Sequence, residues 1–106
     1  MSNGNMAKMM KQLQKAQADM GRMQEELGTK TVESSSGGGA VRVVANGQKQ
    51  LVSLQIDPEA LGADNREILE DMIIAAVNEA FNRVDEMIAS EMQKLTGGLN
   101  LPPGMF

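Results

Sequence analysis

The stretch AVRVVANGQKQLVSLQIDP, residues 40–58, carries two runs of valine, leucine and isoleucine around Asn46-Gly47, with Asp57-Pro58 ending the second run. Asn-Gly accepts the positive φ angles of a two-residue type I′ turn, so residues 40–45 and 48–56 are expected to pair as an antiparallel hairpin. A two-residue loop puts Val41 opposite Val52 and Val43 opposite Gln50. Val41, Val43, Val52, Leu54 and Ile56 then project from one face, which has to meet helices. Arg42, Val44, Lys49, Leu51 and Ser53 fall on the other face, which is only partly polar. Asp57 stands as an N-cap before a proline at N1 and starts a brief turn through Glu59, Ala60 and Leu61 that Gly62 stops.

Upstream, residues 5–27 hold neither proline nor a β-branched residue, and their apolar positions follow a heptad. Met6, Leu13, Met20 and Leu27 take the a positions and Met9, Ala16 and Met23 the d positions, a narrow seam suited to a partner helix. Gly21 weakens that helix by about 1 kcal/mol relative to alanine, and Gly28 is expected to end it as the C′ residue. Thr31 and Val32 mark a short strand in residues 29–33. Ser34, Ser35, Ser36, Gly37, Gly38 and Gly39 offer no apolar side chain and read as a flexible connection.

Downstream, Asp64 and Glu67 resemble a capping box opening a helix over residues 64–96, closed by Gly97-Gly98. Its apolar positions, from Ile68 and Leu69 through Phe81, Val84 and Ile88 to Met92 and Leu95, form a stripe too broad for one small sheet to cover. At 1.5 Å per residue the two helices would run to about 35 and 45 Å, longer than a compact domain of this mass. Residues 97–106, with Leu101, Pro102, Pro103 and Gly104, are expected to form an extended tail.

Composition narrows the function. A chain of 106 residues fits one domain with a modest core, and a partner subunit is the natural way to add burial. There is no cysteine, histidine, tryptophan or tyrosine, which removes disulfides, thiolate metal sites and the usual proton shuttle. A nucleophilic serine or lysine would have no imidazole to activate it, so an enzyme is not expected. Gly37-Gly38-Gly39 lacks the Lys-Ser/Thr ending of a phosphate loop, and the acidic residues lack calcium-loop spacing. No stretch reads as a signal peptide or bilayer span, so a cytoplasmic protein is expected, with no membrane partner, small-molecule substrate, metal or cofactor. The formal net charge of −4 opposes the basic balance usual in a nucleic-acid binder, but phosphate affinity depends on where the cations cluster.

The order of heptad helix, Gly38-Gly39 leading into Val41 and Val43, Asn46-Gly47, then Val52, Leu54, Ile56, Asp57 and Pro58, a long helix and Leu101-Pro102-Pro103-Gly104-Met105 resembles the YbaB/EbfC proteins over nearly the whole chain. The resemblance implies a single α+β domain with a three-stranded antiparallel sheet over residues 29–56 between the two helices. It also implies a tweezer-like homodimer and nucleoid-associated binding of double-stranded DNA with little dependence on sequence, altering DNA conformation and gene expression. The Ser34 to Ser36 run and terminal Phe106 depart from the family pattern.

In the heptad frame Lys8, Lys15 and Arg22 occupy c positions and Lys11 an f position, opposite the Met/Leu seam. Residues 1–18 contain three lysines and no acid, whereas the second helix is rich in Glu and Asp. Lys8, Lys11, Lys15 and Arg22 are therefore the expected phosphate contacts, extended by Lys30, Arg42 and Lys49 near the hairpin. Met6, Met9, Leu13, Met20, Met23, Leu27, Val41, Val43, Val52, Leu54, Ile56, Phe81, Val84 and Ile88 are the expected dimer and core residues. Two rivals share part of this pattern: a prefoldin-like coiled-coil holdase, and an adaptor that docks through the Leu101 to Met105 tail.

Overall fold

The computed structural model describes residues 2–98, with side chains from residue 4 to residue 94. Of the tail expected over residues 97–106, Gly97 and Gly98 continue helix α2 as its last residues, and residues 99–106, with the Leu101 to Met105 motif, lie outside the described residues. Helix α1 (Ser2–Thr29) leads into strands β1 (Thr31–Ser36), β2 (Val41–Asn46) and β3 (Leu51–Ile56). Short helical turns at Pro58–Leu61 and Ala63–Asn65 then precede helix α2 (Arg66–Gly98). The strands form one antiparallel sheet in the order β1-β2-β3. This is the expected α+β architecture, with helices two or three residues longer at their open ends than the sequence pattern indicates.

The core forms where α2 crosses the sheet. Met72, Ala76, Ala80, Val84 and Ile88 recur every four residues, and this stripe lies on the face carrying Val41, Val43 and Ala45. Val41, Val43, Ala45, Ala76, Ala80 and Val84 are fully buried, with Leu69, Ile73, Val77 and Phe81 packed around them. The two alanines let the helix approach closely enough for strand hydroxyls to reach its backbone. Ser34 Oγ donates to the Ala76 carbonyl at 2.5 Å and Ser36 Oγ to the Met72 carbonyl at 2.6 Å. The serine run is thus strand β1 and part of the helix contact, not the flexible connection expected from its lack of apolar side chains.

Gly37, Gly38 and Gly39 make the β1-β2 turn with φ of 62°, 67° and 96°, a left-handed run that only glycine adopts at low cost. Gly37 also lies so close to Met72 that a Cβ there would overlap the thioether sulfur. The turn is therefore a tight fixed corner.

The hairpin register differs from expectation. Val41 pairs with Ile56 and Val43 with Leu54, and a bulge lies between the Val44-Ser53 and Ala45-Leu51 pairs, so that Val52 is the unpaired extra residue. The loop is longer than two residues. Lys49 N–H donates to Asn46 O at 3.0 Å, Asn46 N–H donates to Gln50 O at 3.0 Å, and Lys49 takes the left-handed conformation at φ 58°. Turn plus left-handed residue is the three-residue solution. Leu51 thereby moves to the core face beside Leu54 and Ile56, and Val52 leaves the position assigned to it.

Two cap expectations change. Asp57 Oδ1 accepts from Glu59 N–H at 3.1 Å, as its N-cap role requires. The Asp64-Glu67 capping box does not form, because Ala63–Asn65 is a separate 3₁₀ turn entered from Gly62 without a side-chain cap. Gly28 lies inside α1 and is not a left-handed C′ residue.

α2 lies over β1 and β2 and leaves the outer strand β3 largely bare. Leu51, Val52 and Leu54 are 45%, 56% and 44% exposed, too much apolar surface for a finished edge. α1 departs from the body after Leu27, giving extents of 78 × 25 × 16 Å and a radius of gyration of 21.0 Å. A compact chain of this length would have a radius near 13 Å.

Candidate nucleic-acid interface

α1 is an arm. Every side chain from residue 4 to residue 22 is exposed, and only Leu27 and Gly28 are buried against the body. Its helical form follows from a composition of Ala, Met, Leu, Gln, Lys and Glu, all good helix formers. The Met6, Met9, Leu13 and Met20 seam runs along it uncovered, each residue 47% to 62% exposed.

Lys8, Lys11 and Lys15 lie on the outer half of this arm. None has an ion pair or side-chain hydrogen bond among the described residues, and the first turn of α1 contains no acid. The exposed N–H groups at the helix start and the macrodipole add positive potential at the same end. Measured along the helix, Lys11 and Lys8 stand roughly 24 to 29 Å from Leu27, where the arm meets the body. That separation is about three times the screening length of about 8 Å at physiological salt, so charges at the elbow, such as Glu91 beside Lys30, do little to cancel the field at Lys8 and Lys11. An acidic protein with this geometry can attract a polyanion locally.

The remaining expected contacts divide differently. Arg22 bonds Asp19 one turn away at 2.5 Å. Lys30 reaches Glu91 on α2 at 3.1 Å, and Lys49 reaches Asp85 at 2.8 Å. Lys30 also holds the Glu91 carboxyl below the ordinary glutamate range, first by its hydrogen bond and then by its charge, with Lys94 adding to the effect. All three cations are partly neutralised, and Lys30 and Lys49 tie the arm's base and the hairpin to α2. Arg42 is exposed on the outer face of the sheet, beside a shallow open hollow of about 460 Å³ shared with Gly39, Gln55, Ile56 and Asp57. The seven expected DNA contacts do not form one patch: three make an unpaired tip, and four belong to the elbow and body.

Of the expected dimer and core residues, Leu27, Val41, Val43 and Val84 are buried, and Met23, Ile56, Phe81 and Ile88 are partly buried. Met6, Met9, Leu13, Met20, Val52 and Leu54 remain exposed on the single chain. Among the described residues no group of acidic side chains is placed to hold a metal ion, and no helix is long and apolar enough to cross a membrane. Sequence reasoning missed the role of Gly47. It does not have a positive φ, but a Cβ there would overlap the Leu27 carbonyl and carbon at the end of α1. The Asn-Gly signal found the turn but could not name the distant backbone that requires the glycine.

The chain resembles a crystal structure of an uncharacterized protein from Helicobacter pylori with a TM-score of 0.63 and 28% identity, covering 78% of this chain and 96% of that one. It is 59% identical over 106 residues to a protein of Pelotomaculum thermopropionicum named "Nucleoid-associated protein", with both chains covered in full. A protein of Desulforamulus reducens with the same name is 57% identical over 106 residues, again with full coverage of both. The model of the YbaB/EbfC DNA-binding family matches residues 2–99, and with this fold and these relatives the chain belongs to that family.

Proposed function

We propose that this protein is a nucleoid component that binds duplex DNA as a homodimer, with little sequence preference, gripping backbone phosphates through the α1 arms and changing the path of the DNA it holds. The observation that carries this is the acid-free α1 tip, where Lys8, Lys11 and Lys15 are exposed and unpaired far from the acidic body. Such a surface recognises phosphate charge and carries no base code. With two phenylalanines as its only aromatic residues, the chain has little to stack on unpaired bases, which favours duplex over single strands. Effects on gene expression would follow from altered DNA shape.

A second copy is supported by what one chain leaves bare. A long helix in water depends on tertiary packing of its apolar side, and the outer part of the α1 seam, Met6, Met9, Leu13 and Met20, is exposed on the single chain. Leu51 and Leu54 on the core face of β3 are likewise about half exposed. Among the described residues α1 and α2 converge only at the base of the arm, around Leu27, Ile88 and Met92, which gives little support to the long helical hairpin of a coiled-coil holdase.

The test is a gel-shift titration of wild type against Lys8→Glu/Lys11→Glu/Lys15→Glu, with sedimentation to establish equal oligomeric state. If each protomer contributes three or four phosphate contacts, the wild-type dimer shows a log-log salt slope of about −5 to −7. The triple variant should lose measurable binding at physiological salt. Equal affinity in an intact variant, or a wild-type slope near zero, rejects this function for α1.

A further inference from the structure

We propose that the turn at residues 46–49 is the socket that sets the direction of the α1 arm, and that Gly47 is its positioning residue. The functional half of this rests on α1 being the DNA-contacting element. α1 is held to the body only near its C-terminal end, so whatever fixes that joint fixes where Lys8, Lys11 and Lys15 point.

The joint is built from backbone. Gly47 N–H donates to Lys30 O at 3.0 Å, and Lys30 N–H donates to Leu27 O at 3.3 Å. On the helix side, a Cβ at Gly28 would lie 3.1 Å from the Gln48 side-chain amide nitrogen, so the turn and the helix end lie against each other through two glycines. Leu27 is buried beside them, in a cleft of about 280 Å³ that also involves Met20, Met23, Ile88 and Met92.

The turn is rigid enough to act as a stop. Asn46 Oδ1 accepts from Gln48 N–H at 2.9 Å and from Gln50 N–H at 3.1 Å, and the Asn46 amide donates to Gln50 Oε1 at 3.1 Å. Two ion pairs brace the joint from α2, Lys30 with Glu91 on the helix side and Lys49 with Asp85 on the turn side. A side chain at Gly47 would press on a carbonyl, which cannot rotate away as a flexible side chain can. One of the two elements has to move. A shift of about 1 Å across a helix some 10 Å wide tilts it by about 0.1 rad, which moves Lys11 and Lys8, about 24 to 29 Å from Leu27, by about 2 to 3 Å. That exceeds the tolerance of a charged hydrogen bond to phosphate.

Gly47→Ala tests this. The chain has no cysteine, so spin labels at Ala7→Cys and Gln55→Cys report one arm-to-sheet distance when labelled chains are diluted into unlabelled protein. Gly47→Ala should keep its far-UV circular dichroism while the distance distribution shifts or broadens. Its DNA affinity should fall at least about tenfold, with a salt slope shallower by about 2 to 4 if each arm loses one or two phosphates. Gly28→Leu wedges the same joint from the helix side, against the flexible Gln48 side chain, and should move the distance in the same way if Gly47→Ala does not fold. An unchanged distance in a folded variant overturns the inference. So does a changed distance with unchanged DNA affinity. Lys8→Glu/Lys11→Glu/Lys15→Glu on the labelled background should lose DNA binding with the distance unaltered. If that variant still binds, the DNA assignment of α1 fails while the spin-label distances decide the socket on their own.

Discussion

Gly37 and Gly38 have nearly equal φ angles but different surroundings, which separates two costs that usually coincide. At Gly38 a Cβ meets nothing within 4 Å, so Gly38→Ala probes the left-handed backbone alone. A destabilisation of about 1–2 kcal/mol is expected there. At Gly37 the same backbone cost is joined by overlap with Met72, where the thioether has to leave its place in the helix-sheet contact. Gly37→Ala should therefore lower stability by about 1–3 kcal/mol more than Gly38→Ala, as measured by urea unfolding. Equal losses would mean that Met72 moves aside without cost. Ser34 shows the same dependence on surroundings: a polar residue that pattern assigns to a loop is 2% exposed, because its hydroxyl has the Ala76 carbonyl to bond.

At the scale of elements, the joint between α1, the hairpin turn and α2 is held partly by charge, and this gives it a pH dependence. Glu91 is lowered by Lys30 and Lys94, so protonation is harder in the folded protein than in the unfolded chain. Its contribution is present above the unfolded glutamate value and is lost as pH falls through the depressed folded value. The stability difference between wild type and Glu91→Gln should accordingly be present at neutral pH and vanish in acid, as read by urea unfolding from pH 7 to pH 3. A difference independent of pH would assign the effect of Glu91 to packing. The two long helices behave differently at this scale. α2 is held by a stripe repeating every four residues on a sheet, whereas the heptad seam of α1 is received only at its base, around Leu27, among the described residues.

At the scale of the molecule, elongation and charge separation are linked. A rounder protein with net charge −4 would place its lysines within a screening length of its carboxylates, and the 78 Å extent keeps the α1 tip apart. The same shape exposes apolar surface that a second copy would cover. Leu51→Asp/Leu54→Asp places two charges on the bare face of β3 and should shift sedimentation toward monomer. Unsupported α1 should then lose helical signal, and DNA binding should weaken as two linked arms become one. A variant that remains dimeric would move the interface away from β3, leaving the α1 seam as its place.

The order of elements, the helical seam of α1, the broad stripe of α2 and the acid-free cluster of lysines near the N-terminus were all legible in the sequence. Each depends on residues close together along the chain, through periodicity, turn chemistry or local charge. The hairpin register, the bulge at Val52, the strand character of Ser34 to Ser36 and the division of the basic residues into free and ion-paired groups were decided by tertiary structure. Those depend on partners far away in sequence: α2 carbonyls for the serines, Asp85 and Glu91 for Lys49 and Lys30, and the Leu27 carbonyl for Gly47. Local pattern tells which segments form, because hydrogen bonding and side-chain spacing within a segment are local. It does not tell what each segment touches, which is settled by packing.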